Sequence, residues 1–175
     1  IYDICAISFA LYPFVKDDFA LLKTAVSFGE GYGPKLIKKK GTKLKKNFKV
    51  ALSGEFTTNA LVFKIAYPDA RISYMNFLDI ENAVINGDVD AGVLIHESIL
   101  TYSSVLEVER EIWDIWVELC EGEELPIPLG GMCLRRSIPL HEAIKYENAL
   151  IKAVDVANKN RKTLAPMLLE KGLIR

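Results

Sequence analysis

His96 closes the run Gly92-Val93-Leu94-Ile95-His96-Glu97, in which three branched aliphatics lead to an imidazole beside a carboxylate. Imidazole gains and loses a proton near neutrality, so a histidine in this place can act as a general acid or base. A short apolar run of this kind reads as a strand buried on both faces, and in open parallel sheets ligands collect beyond the carboxyl ends of such strands. The same six residues also suit a structural histidine hydrogen-bonded at a strand end. Glu97, the next residue along a strand, should point to the opposite face and is not assigned as a partner of His96. A second group of reactive types is the turn Ser53-Gly54-Glu55-Phe56-Thr57-Thr58-Asn59. There, hydroxyls and backbone N–H groups gather at a helix start whose dipole favours an anion, so a carboxylate or a polyol would fit. Plain helix capping explains the same Ser and Thr residues, and the Gly-Lys-Ser/Thr ending of a phosphate loop is missing. Ser8 and, beyond it, Tyr12 stand at the end of a further strand.

These groups need a scaffold, and the chain supplies the pattern of one. Residues 1–8 read as a strand, followed by a loop and short helix interrupted by Pro13. Gly29-Glu30-Gly31-Tyr32-Gly33-Pro34 is a hinge candidate feeding Lys35-Leu36-Ile37-Lys38, an edge-like or crossing strand. Eight lysines lie between Lys35 and Lys49 with no arginine and only Phe48 interleaved, which reads as a solvated turn rather than a phosphate surface. Phe48-Lys49-Val50-Ala51-Leu52 is the next strand, and a helix runs through Ala60, Leu61, Phe63, Lys64 and Ile65. Arg71–Met75 is a strand, and Asp79 is a candidate N-cap for a helix over Ile80–Asn86 closed by Gly87. The order β-α-β-α-β from Phe48 to His96 requires a parallel sheet with right-handed crossovers. Residues 108–121 are predicted helical, with Val108, Ile112, Ile115 and Leu119 on one stripe, and Trp113 and Trp116 as packing residues. The run from Leu125 to Arg135 reads as a turn and a strand whose Gly130-Gly131 suggests close backbone approach or a second hinge. Beyond about Leu140 the chain is helical. Two glycine-bearing strands around one α/β unit predict two lobes with a cleft between them, residues 35–129 forming a lobe inserted into one made of residues 1–34 and 130–175.

Composition bounds the function. Of 175 residues 50% are hydrophobic and 26% charged, with mean hydropathy +0.16, which suits a globular α/β protein with a sizeable core. Lys plus Arg at 22 nearly balances Asp plus Glu at 23, so the overall field argues for neither nucleic acid nor an anionic membrane as partner. Cys5, Cys120 and Cys133 are widely spaced without a CxxC pair, and fit buried or inert thiols in a reducing compartment better than a disulfide framework or a zinc site. With no membrane-spanning run and no secretory pattern at the start, a cytoplasmic location is expected. The opening on a strand without an initiator methionine, and the stop at Leu173-Ile174-Arg175, suggest a longer parent polypeptide.

Five segments in order, Ala6–Tyr12, Gly31–Pro34, Gly54–Ala60, Gly92–Ser98 and Leu125–Gly131, together resemble the 1,4-dihydroxy-6-naphthoate synthase family of the futalosine route to menaquinone in prokaryotes. The resemblance implies a two-lobed, solute-binding-protein-like α/β fold of mainly parallel sheets flanked by helices, with two crossing hinge strands. It implies a carbon-carbon lyase converting cyclic dehypoxanthinyl futalosine to 1,4-dihydroxy-6-naphthoate without metal or organic cofactor, on a small-molecule substrate bearing a carboxylate. By position, His96 matches the family's proton-accepting histidine, Thr57 and Thr58 a substrate-contacting turn, and Ala6, Ile7 and Ser8 a second contact segment. Some relatives carry a lysine where Ala6 stands, and the family has a Ser-x-Cys-x-Asn-Asp-Thr motif upstream of the matched region. Rival readings are a solute-binding protein of the same fold without catalysis, the sister enzyme that dehydrates chorismate and shares the two-lobed fold, and the effector domain of a transcription regulator, which would require a DNA-binding helix-turn-helix.

Overall fold

The computed structural model describes residues 2–170, so Ile1 of the first predicted strand and residues 171–175 of the expected terminal helix lie outside the described residues. In chain order the elements are β1 (Ile4–Ser8), α1 (Tyr12–Val15), β2 (Phe19–Gly29), β3 (Lys35–Lys39), β4 (Lys49–Leu52), α2 (Thr58–Ala66), β5 (Arg71–Tyr74) and α3 (Ile80–Asn86). They continue with β6 (Ala91–Leu94), a single 3-10 turn (His96–Ile99), β7 (Leu106–Glu111), α4 (Ile112–Leu119), β8 (Ile127–Arg135), α5 (Leu140–Lys159) and α6 (Arg161–Glu170). The chain divides into two compact units, one of Phe28–Pro128 and one built from the segments before and after it. The fold is a mixed α/β arrangement, with helices flanking two sheets.

Within Phe28–Pro128 the strands lie in the order β5-β4-β6-β3-β7. β4 pairs in parallel with both β5 and β6, the arrangement required by the β-α-β-α-β order. Thr57, in extended conformation, starts α2 two residues earlier than the apolar spacing suggested, and Gly87 in left-handed conformation closes α3. Asp79 occupies the N-cap position of α3, but its side chain makes no capping bond; its carbonyl accepts from Ala83 N at 3.0 Å instead. α3 lies directly on β6 at Gly92, where a Cβ would come within 2.5 Å of Ile80 Cγ2, so only glycine permits that contact. Phe63, fully buried, stacks on Tyr67 at 4.9 Å and meets Phe48 edge-on at 6.0 Å, anchoring α2 beside β4.

Several expectations for this unit are corrected. β3 is an interior strand, not an edge or crossing one: it pairs antiparallel with β6 on one side and β7 on the other, with Leu36 and Ile37 fully buried. The predicted helix over residues 108–121 begins only at Ile112, and Val108 lies in β7. The helical spacing of Val108, Ile112 and Ile115 masked a period of two, in which Leu106 and Val108 alternate with Glu107, Glu109 and Glu111. That alternation serves cross-strand pairing. Lys35 meets Glu111 at 3.1 Å, and Lys38 meets Glu109 at 2.5 Å and Glu107 at 3.6 Å; a bond to Glu109 is the main reason the Lys38 ammonium titrates above its ordinary value. Two of the lysines read as a solvated turn are thus strand residues with acidic partners. Leu119, placed on the buried stripe of α4, is 42% exposed, whereas Trp116 packs and donates its indole N–H to Leu125 O at 2.7 Å.

The other unit holds most of a three-stranded sheet in the order β1-β8-β2. β1 and β8 run antiparallel from Ile4 opposite Leu134 to Ser8 opposite Gly130. A Cβ on Gly130 would lie 2.8 Å from Ile7 O, so of the two readings of the double glycine, close backbone approach is the observed one at this position. β2, an eleven-residue strand, was not anticipated; its burial is irregular and its sequence Phe-Ala-Leu-Leu-Lys-Thr-Ala-Val-Ser-Phe-Gly does not alternate. Glu147 on α5 accepts from Lys23 N in β2 at 2.7 Å.

Candidate functional site

Because β4, β5 and β6 are parallel and adjacent, the segments leaving their carboxyl ends emerge along one edge of the sheet in Phe28–Pro128. β4 delivers the Ser53–Thr57 turn and the start of α2, β5 delivers Asn76 and Phe77, and β6 delivers Ile95 and His96.

His96 does not end the strand. β6 stops at Leu94, Ile95 remains extended, and the chain turns sharply at His96, whose φ is +53°. Non-glycine residues rarely occupy this region, and such conformations concentrate where function requires them. The imidazole is exposed to solvent and stands edge-on to Phe77, with ring centroids 5.1 Å apart and planes at 68°. Phe77 in turn packs on the core cluster that includes Ile37, Ala51, Ile80 and Leu94, so one side of the imidazole is braced by the core and the other faces water. Glu97 lies in the same 3-10 turn as His96, so the alternation expected of strand neighbours does not apply to this pair.

At the β4–α2 turn both threonine hydroxyls are engaged. Thr57 Oγ1 donates to Gly54 O at 2.8 Å and accepts from Ala60 N at 3.3 Å, the capping arrangement. Thr58 is buried and donates to Pro128 O at 2.7 Å. Two neighbouring side-chain atoms contrast with them: Ser53 Oγ and Asn59 Nδ2 are buried without a hydrogen-bond partner. A buried donor left unmatched costs about 1–3 kcal/mol, so this turn retains unused hydrogen-bonding capacity. Both residues stood inside the hydroxyl-rich turn recognised in the sequence but were not singled out there. Phe77 was missed as well, although its place just beyond a third parallel strand was a usable signal.

Thr57, Thr58 and His96 therefore share one unit and one sheet edge. Ala6, Ile7 and Ser8 belong to β1 in the other unit, where Ser8 Oγ donates to Leu129 O at 3.2 Å. Among the described residues no group of three or more His, Cys, Asp or Glu side chains is placed to hold a metal ion, and no helix is long and apolar enough to cross a membrane.

The chain is similar to known proteins along most of its length. A curated relative, 1,4-dihydroxy-6-naphthoate synthase of Streptomyces coelicolor, is 31% identical over 175 residues, a match covering 96% of this chain and 61% of that protein. The crystal structure of protein AF1704 from Archaeoglobus fulgidus superposes with a TM-score of 0.84 at 32% identity, over 91% of this chain and 60% of that one. An ABC transporter structure from Parabacteroides distasonis, at 17% identity and TM-score 0.63 over 98% of this chain and 61% of that one, shares the fold alone. The chain thus spans about three fifths of the length of these proteins. The model of a family described as menaquinone biosynthesis matches residues 1–175, and with that match over its whole length the chain belongs to the menaquinone biosynthesis family.

Proposed function

We propose that this protein, in its full-length form, is a carbon-carbon lyase that converts cyclic dehypoxanthinyl futalosine to 1,4-dihydroxy-6-naphthoate in the cytoplasm, with His96 as the general base. Family membership and the name of the Streptomyces coelicolor relative support the reaction. The observation that carries the assignment of the base is His96 itself, a solvent-facing imidazole in left-handed backbone conformation beyond the carboxyl end of a parallel strand.

In this reading neutral His96 removes a proton from the sugar-derived portion of the substrate. Carbon-carbon cleavage follows, a small sugar fragment leaves, and aromatisation to the naphthalene diol makes the later steps downhill. The β4–α2 turn receives the substrate's carboxylate. Since the Thr57 and Thr58 hydroxyls already bond within the protein, the turn's further contribution comes from the partial positive charge of the α2 N-terminus, about 0.3–1 kcal/mol when exposed, and from Ser53 and Asn59. Ala6, Ile7 and Ser8 supply a second contact segment, and neither metal nor organic cofactor takes part.

The test is incubation of the full-length protein with cyclic dehypoxanthinyl futalosine, following 1,4-dihydroxy-6-naphthoate by chromatography and mass. Product formation is expected. Substrate binding without turnover by a folded protein would contradict the lyase and identify a binding protein of the same fold.

A further inference from the structure

Cys5 and Cys133 are 128 residues apart in sequence, and β1–β8 pairing sets them directly opposite each other. Their sulfurs are 3.4 Å apart. Backbone bonds from Arg135 N to Asp3 O and from Phe9 N to Leu129 O bracket the pair. Two-residue alternation between these bonds places Cys5 and Cys133 at a hydrogen-bonded position of the antiparallel ladder, where Cα atoms are about 5.5 Å apart. Disulfides accept Cα separations of about 4.4–6.8 Å, so the spacing of this ladder position falls within the range a bridge needs, and the sulfurs are already in contact.

The two thiols differ in access. Cys133 is fully buried, and burial, followed by its bond to Cys5, pushes its thiol up to about 11. Cys5 is partly exposed, so it is the sulfur an oxidant reaches first, with Cys133 held beside it. The third cysteine, Cys120, belongs to the other unit. The expectation of buried or inert thiols fits the burial of Cys133, but the pairing with Cys5 was not foreseen because a spacing of 128 residues carries no motif.

We propose that Cys5 and Cys133 are a modification site, a dithiol pair that a peroxide closes to an intrachain disulfide between β1 and β8. In the first step Cys5 sulfur, as thiolate, attacks one peroxide oxygen; the S–O bond forms, the O–O bond breaks, and the departing hydroxide takes up a proton as water. In the second, Cys133 sulfur attacks Cys5 sulfur as its proton passes to the leaving hydroxyl; the S–S bond forms, the S–O bond breaks, and a second water departs. Two thiols are oxidised by two electrons in total and one peroxide is reduced to two waters.

The test is treatment of the reduced full chain with hydrogen peroxide under native conditions, read by thiol titration, intact mass and peptide mapping. Titratable thiols should fall by two, the mass should drop by two hydrogens, and a peptide linking Cys5 to Cys133 should appear and be released by dithiothreitol. Cys120→Ser should form the same linkage, and Cys133→Ser should instead gain oxygen at Cys5. Wild-type protein that keeps both the Cys5 and the Cys133 thiol, that gains oxygen at Cys5 without a cross-link, or that links only between chains would overturn the proposal, and the wild-type measurement decides this even where a variant fails to fold.

Discussion

Ile80 and Ile144 are both helix residues of the same type, yet Ile80 in α3 is fully buried and Ile144 in α5 is 52% exposed. The contrast runs through the two units. In Phe28–Pro128 the helices between parallel strands close directly over the sheet, and Ile37, Val50, Leu52, Phe63, Val93 and Ile112 lose essentially all contact with water. In the unit built from the flanking segments, Leu22, Cys133 and Leu134 are the buried apolar residues among those described, and α5 buries none while exposing Leu140, Ile144, Ile151 and Val154. Burial of apolar surface is the main favourable term in folding, at roughly 25 cal/mol per Å². The unit that carries His96 and the β4–α2 turn therefore holds most of the buried apolar surface among the described residues, and Phe77, packed on its core, braces the His96 ring.

Equal substitutions in the two units sharpen or break that comparison. Ile80→Ala should cost about 2–5 kcal/mol in urea unfolding, while Ile144→Ala should stay within about 0.5 kcal/mol; similar losses at both would show that the α5 face is covered in solution. Gly92→Ala, which drives a methyl into Ile80 and Val84, should destabilise by about 1–3 kcal/mol. Loss of the α2 cap in Thr57→Ala should cost about 0.5–2 kcal/mol, measured by the same unfolding experiment.

The smallest effect is a pH dependence from the other unit. Cys133 titrates near 11 in the folded protein against an ordinary 9.0, so folding favours the protonated thiol. Its stabilising contribution is complete below about pH 9 and is lost as pH rises from there toward 11, because the unfolded chain releases the proton first. Wild type should thus lose more stability than Cys133→Ala on moving from about pH 8 to about pH 10.5. Parallel behaviour of the two proteins would remove Cys133 as the cause.

The same division decides what was legible in the sequence. From Phe48 to His96 each strand is followed at once by the helix that covers it, so apolar periods, Gly87 and the threonine turn disclosed the parallel strands β4, β5 and β6 and the edge at which Thr57, Thr58 and His96 lie. β7 was hidden because Val108, Ile112 and Ile115 satisfy a helical period across a strand–helix junction at Ile112. The location of His96 was readable, but its left-handed backbone and its contact with Phe77 depend on where β6 stops and on a loop nineteen residues earlier in the chain. In the other unit the decisive contacts join residues such as Cys5 and Cys133, whose register no local pattern encodes.

The most direct measurement is turnover of cyclic dehypoxanthinyl futalosine by the full-length protein and by its His96→Asn variant, with urea unfolding as the control for folding. Asparagine accepts the positive φ at this position, so the substitution removes the imidazole and spares the turn. Turnover should fall by about 10²–10⁴-fold with stability unchanged; a variant that is folded and works within about threefold of wild type would contradict the assignment of His96 as the base.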